Sequence, residues 1–149
     1  MVVQPCVSPN VSAGGPANLR NVKQSAPNIA SGTGARITGM TATKPYHVVA
    51  VDPMIVTDTK ETYNAHADAV AADRLSVIGK AAQSAGVPYA YVHRSGEHPY
   101  EEIIAAATQA GCDAIFMASH GRRGVSALVL GSETTKVLTH TKLPVVVYR

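Results

Sequence analysis

The sequence predicts an α/β protein built on a parallel sheet with crossover helices. Three observations carry this. Strand-like and helix-like segments alternate from residue 34 to the end, the order that places crossover helices between parallel strands. Ala114-Ile115-Phe116-Met117-Ala118 is a continuous apolar run, as expected of a parallel strand covered on both faces. A stripe of apolar residues at helical spacing, Ala71, Leu75, Ile78, Ala82 and Ala85, marks a long amphipathic helix between two strand segments.

The elements follow in order. Residues 1–33 hold Pro5, Pro9, Pro16 and Pro27 with Gly14, Gly15 and Gly32, and neither a helical nor an alternating period persists. Three readings stay open for them: an irregular segment, a divergent first strand and helix, or a shifted reading frame upstream of an intact body. Val2-Val3 and Cys6-Val7 offer a short strand, but Pro5 argues against a central one. The first strand–helix unit therefore reads as atypical or missing, and the chain divides into 1–33 and an α/β domain over 34–149.

Ala35 to Ala42 reads as a strand, with Val48 to Val51 as an optional extension. Tyr63 to Ala85 is the long helix, stopped by Gly86. Pro88 to His93 is a strand. The next helix opens near Pro99 with Glu101-Glu102 in its first turn, where carboxylates suit the positive end of the helix dipole. Ile103, Ile104 and Ala107 face inward and Gly111 caps it. The apolar strand at 114–118, a helix around Ser132 to Thr141, and Pro144 to Tyr148 as the last strand complete the chain.

Composition removes other classes. With 149 residues, 46% hydrophobic, the chain suits one domain with a substantial core. It has no apolar run of about 18 residues, so no membrane span is expected. The start carries no Lys/Arg-led apolar stretch of a signal peptide. Two cysteines are too few for a disulfide scaffold or a cysteine-pair zinc site, which makes a reducing cytoplasm the default location. The net charge of +3 comes from Arg20, Lys23 and Arg36, since residues 1–36 contain no Asp or Glu; the thirteen Lys/Arg less these three leave ten, against ten acidic residues. A neutral body does not read as a nucleic-acid binder.

The chemistry-bearing stretch runs from Met117 through Ala118-Ser119-His120-Gly121-Arg122-Arg123-Gly124 to Leu130-Gly131-Ser132-Glu133-Thr134. It leaves the carboxyl end of an apolar strand, where open parallel sheets bind ligands, and enters a helix N-terminus, whose N–H groups hold phosphates. Gly121 and Gly124 allow close backbone approach to an anion, Ser132 stands where it could cap the helix, and Arg122-Arg123 offer neutralising charge. Without Gly-Lys-Ser/Thr it is not a P-loop. A lone Gly-x-x-Gly also serves plain turns, so spacing alone leaves phosphate binding and a simple loop both open.

Ala118-Ser119-His120-Gly121, then nine residues, then Gly131-Ser132, resembles the nucleotide-binding signature of the universal stress protein family: Gly-x-x-Gly, nine residues, Gly-Ser/Thr. Gly34 to Thr38, Gly86-Val87-Pro88, Cys112 to Met117 and Lys142 to Val147 resemble the family's second to fifth strands, so the likeness covers about residues 34–149. It implies a Rossmann-like open parallel sheet in order 3-2-1-4-5 with helices on both faces, and usually a homodimer. It further implies ATP, with Mg, held by the backbone near Ala42 and Met117, by Gly121, Gly131 and Ser132, and by neighbouring Glu133 and Thr134. Two departures stand out. Ala118 replaces the first motif glycine, adding a methyl near the ribose. The Asp that ends the family's first strand has no counterpart, there being no acidic residue in 1–33.

Other candidates are weaker. His93, His98 and His120 make a metal cluster only if the fold gathers them. Cys112 reads as a small core residue rather than a nucleophile. Ser119-His120 lacks an orienting acid, and no general base is evident, so no enzymatic role beyond weak ATP hydrolysis is expected. Tyr89 and Tyr91 share a strand face and read as packing. The C-terminal strand, 144–148, is the expected homodimer edge. Two functions compete: an ATP-binding stress-response protein, favoured by the glycines and arginines, and a dimeric interaction module of the same fold without nucleotide, favoured by Ala118 and the absent Asp.

Overall fold

The computed structural model describes residues 5–7, 26–46, 59–118 and 130–148. Its elements run β1 (Pro5–Val7), α1 (residues 26–33), β2 (Ile37–Thr43), α2 (Lys60–Ser84), β3 (Tyr89–Ser95), α3 (Pro99–Gln109), β4 (Ala114–Ala118), α4 (Ser132–His140) and β5 (Val145–Tyr148). Every ladder is parallel: β1 with β4, β4 with β5, and β2 with β3. The ladders make two sheets among the described residues, ordered β1-β4-β5 and β2-β3. The optional extension at 48–51 falls outside the described residues.

The first segment holds both a strand and helical residues, which its composition obscured. Pro5 is the first residue of β1, a position where a missing N–H is tolerated, and it pairs with Ala114. Pro5 is expected to weigh against a central strand, and among the described residues β1 pairs on one side only, at the end of the β1-β4-β5 order. α1 ends at Gly34, whose φ of +66° is the left-handed stop of a helix C-terminus, and Ala35 N–H returns to Ala30 O at 2.9 Å. The compositional break at 33/34 is thus a helix end.

Period-two alternation along the strands sorts the core into two apolar layers. On one face, Ile37, Phe116 and Ala118 pack with Ala26 and Ala30 of α1 and Ile78 and Ala82 of α2. On the other, Met40, Ala42, Ile115 and Met117 pack with Ile103, Ala106 and Ala107 of α3 and Val137 of α4. Helices therefore cover both faces, and β2 is buried from Ile37 to Ala42. Each fully buried Ile contributes about 1.5–3 kcal/mol by leaving water. Cys112 is buried at the foot of β4, and it is disulfide-bonded rather than a free core thiol.

The starts of α2 and α3 have causes that can be named. Thr59 caps α2 by accepting from Thr62 N–H at 3.2 Å, and Glu61 sits in the first turn. α3 opens on Pro99, with Glu101 and Glu102 in its first turn. Its N-cap, His98, makes no side-chain cap; Glu133 of α4 supplies the acceptor instead, taking Tyr100 N–H at 3.1 Å. No helix among the described residues is long and apolar enough to cross a membrane.

Candidate functional site

The carboxyl ends of β2 and β4 bring several of the expected residues together. Ala42 and Met117 lie in the same apolar layer, both nearly fully buried. Beyond Ala118, α4 begins at Gly131-Ser132, and its first turn is fastened to the strand end: Thr134 Oγ1 donates to Ala118 O at 3.1 Å, with Thr134 only 3% exposed. That bond places the α4 N-terminus at the end of β4. His120, Gly121, Arg122 and Arg123 fall outside the described residues.

One expectation is revised at this end, and the partners of two further residues are given. Ser132 does not cap α4. The cap position belongs to Gly131 (φ −62°, ψ 151°), Ser132 is the first helical residue and is exposed, and among the described residues no side chain caps the helix. The first-turn N–H groups of a helix have no partner within the helix, so this end presents backbone donors and the positive end of the dipole. Glu133 reaches α3: one carboxylate oxygen accepts Tyr100 N–H and the other pairs with Lys136 Nζ at 3.2 Å. The methyl of Ala118 packs in the α1/α2 layer.

His93 and His98 take different partners. His98 heads α3, its ring centroid 6.0 Å from that of Tyr100. His93 lies between two elements: its Nδ1 is 3.0 Å from Asp68 Oδ1 of α2, and its Nε2 is 3.0 Å from Thr43 Oγ1. Sequence reading missed this grouping. Thr43 and Asp68 carry no local motif, and only the β2–β3 register and the lie of α2 bring them to the ring. Tyr89 packs rather than stacks, its hydroxyl donating to Leu75 O at 3.0 Å, whereas Tyr91 is 70% exposed. Burial, and then Tyr91, push the Tyr89 phenol up to about 12.

Comparison with known proteins gives the family. The model of the universal stress protein family matches residues 15–149. The chain belongs to that family. The match begins ahead of Gly34 and takes in α1. The universal stress protein MJ0577 of Methanocaldococcus jannaschii is 39% identical over 51 residues, which are 34% of this chain and 32% of that protein. The aligned stretch therefore spans about a third of that relative's length. Its solved structure superposes with a TM-score of 0.78 at 17% identity, covering 99% of this chain and 96% of that one.

Two further solved members share the fold. A universal stress protein in complex with cAMP has a TM-score of 0.66 at 19% identity, covering 99% of this chain and 97% of that one. The universal stress protein from Archaeoglobus fulgidus in complex with dAMP has a TM-score of 0.65 at 15% identity, covering all of both chains. At these identities the likeness is one of fold: the family's Rossmann-like α/β architecture.

Proposed function

We propose that this universal stress protein binds an adenine nucleotide, ATP with Mg, across the carboxyl ends of β2 and β4. The observation that carries the reading is the α4 N-terminus: it follows Gly131, has no side-chain cap among the described residues, and is held at the end of β4 by the Thr134–Ala118 bond. A fixed helix start with its dipole exposed favours a phosphate. Adenine lies along the backbone near Ala42 and Met117, and the phosphates lie over Gly131 and Ser132. His120, Gly121, Arg122 and Arg123 lie outside the described residues and enter this reading through the sequence signature alone. The cAMP and dAMP complexes of the two fold relatives support the ligand class. Glu133 acts by holding α3 against α4 rather than by touching the ligand.

The second reading, a dimeric interaction module, rests on the sheet edge: β5 ends its sheet and Val146 is 36% exposed there. Thermal melting separates the two. A ligand at 100 times its Kd stabilises by about 2.7 kcal/mol, so millimolar Mg-ATP raises Tm by several degrees. Gly131→Asp removes the increment by steric block and charge repulsion. No increment for the unsubstituted chain overturns the nucleotide reading.

A further inference from the structure

We propose that Thr43, His93 and Asp68 form a hydroxyl–imidazole–carboxylate relay that makes Thr43 Oγ1 a nucleophile toward small activated carboxylic esters. In the parallel β2–β3 ladder Thr41 lies opposite His93 and Thr43 opposite Ser95. Alternation then sets Thr41, Thr43 and His93 on one face, the face α2 covers with Asp68. His93 Nδ1 stands 3.0 Å from Asp68 Oδ1, and His93 Nε2 stands 3.0 Å from Thr43 Oγ1. A carboxylate only accepts, so Nδ1 bears the proton. In the neutral ring Nε2 is then the acceptor and the Thr43 hydroxyl the donor. That is the order of parts that activates a hydroxyl, recognised by geometry and not by chain position.

The surroundings suit a reactant. Thr43 is half-buried, and the side chains of His93 and Asp68 are 23% and 71% exposed, so the relay is reachable from solvent. The neighbouring Lys44 carbonyl accepts from Tyr63 Oη at 3.0 Å, and the Tyr46 and Tyr63 rings meet at 5.5 Å. Two aromatic rings near Thr43 favour an ester with a flat leaving group. Thr41 supplies an independent observation. It is fully buried opposite His93 in the ladder, and its Oγ1 has no hydrogen-bond partner among the described residues. Native structures seldom leave a buried hydroxyl unpaired, and a catalytic role is one of the few explanations for such an exception.

The step balances without redox chemistry. Thr43 Oγ1 bonds to the acyl carbon while its proton passes to His93 Nε2. The bond from that carbon to the leaving oxygen breaks, and the proton goes to the leaving alcohol. Water then adds to the acyl carbon and gives a proton to Nε2. The Oγ1–acyl bond breaks, and Oγ1 recovers that proton. The sum is ester plus water to acid plus alcohol. Asp68 is the positioning residue, holding the ring in the required tautomer.

The test uses the full chain and p-nitrophenyl acetate, with no nucleotide present, so its outcome is separate from that of the ATP reading. The expected result is saturable nitrophenolate release with an initial burst, and one acetyl group on the peptide containing Thr43. Thr43→Ala abolishes burst and acetyl group, while Thr43→Ser keeps both. His93→Gln lowers the rate by roughly 100-fold or more. Asp68→Asn lowers it and Asp68→Glu restores it, a rescue that a merely structural role would not produce. His66→Gln, an exposed imidazole elsewhere on α2, changes nothing. Melting curves check each variant's fold, and the conservative Thr43→Ser carries the test should His93→Gln fail to fold. Unsaturable release that Thr43→Ala leaves intact, or acetyl groups on lysines and none on Thr43, overturns the proposal.

Discussion

Tyr89 shows how one side chain ties a strand to a helix. Its ring lies over Gly39 of β2 and Gly79 of α2; a Cβ added at Gly79 would meet the ring at 3.0 Å, so both glycines are sites of close approach. Its hydroxyl reaches Leu75 O. The phenol, raised from 10.0 to about 12 first by burial and then by Tyr91, stays neutral in the fold where the unfolded chain ionises. The sign follows: the folded state holds the proton more tightly, so this contribution is complete below pH 10 and is lost as pH rises toward about 12. Tyr89→Phe loses a hydrogen bond of about 0.5–1.5 kcal/mol at neutral pH. Its alkaline melting curve falls less steeply than that of the unsubstituted chain across that window. Equal slopes would show that Tyr89 does not titrate in the transition.

Among the elements, α3 and α4 depend on one another. Pro99, Glu101 and Glu102 made the α3 start legible, because they complement a helix N-terminus by rules that act within one turn. The acceptor that completes it, Glu133, lies 33 residues further on. In sequence Glu133 was indistinguishable from an ordinary first-turn acid of α4, or from the nucleotide contact the family likeness suggested. Glu133→Ala should cost about 0.5–2 kcal/mol, as for a lost cap, and lower Tm by several degrees. Glu133→Gln, which still accepts, should cost less. The increment in Tm produced by Mg-ATP should survive both. If Glu133→Ala removes that increment at unchanged basal Tm, Glu133 contacts the nucleotide.

At the scale of the whole molecule, the sheet has a way to grow. β5 closes the β1-β4-β5 order, and its exposed Val146 stands on a strand built of β-branched residues. A homodimer through residues 144–148 would cover that edge. Val146→Glu then shifts the chain from dimer to monomer in light scattering while the melting curve keeps its cooperative shape. A monomer already present in the unsubstituted chain would remove this edge from the account.

The alternation of elements, the apolar strand at 114–118, the long α2 stripe and the signature around Gly131-Ser132 were legible in the residues alone. These are written in nearest-neighbour and helical-repeat chemistry, so composition and spacing report them. Composition left the first segment obscure, because Pro and Gly hide a strand that needs only three residues and a neighbour to pair with. That Glu133 serves α3, that Thr134 fastens α4 to Ala118, and that Asp68 and Thr43 meet across His93 emerged with the folded chain. Each of these rests on partners 16 to 50 residues apart. No local rule relates such residues; the register of parallel strands and the seating of helices on the sheet do.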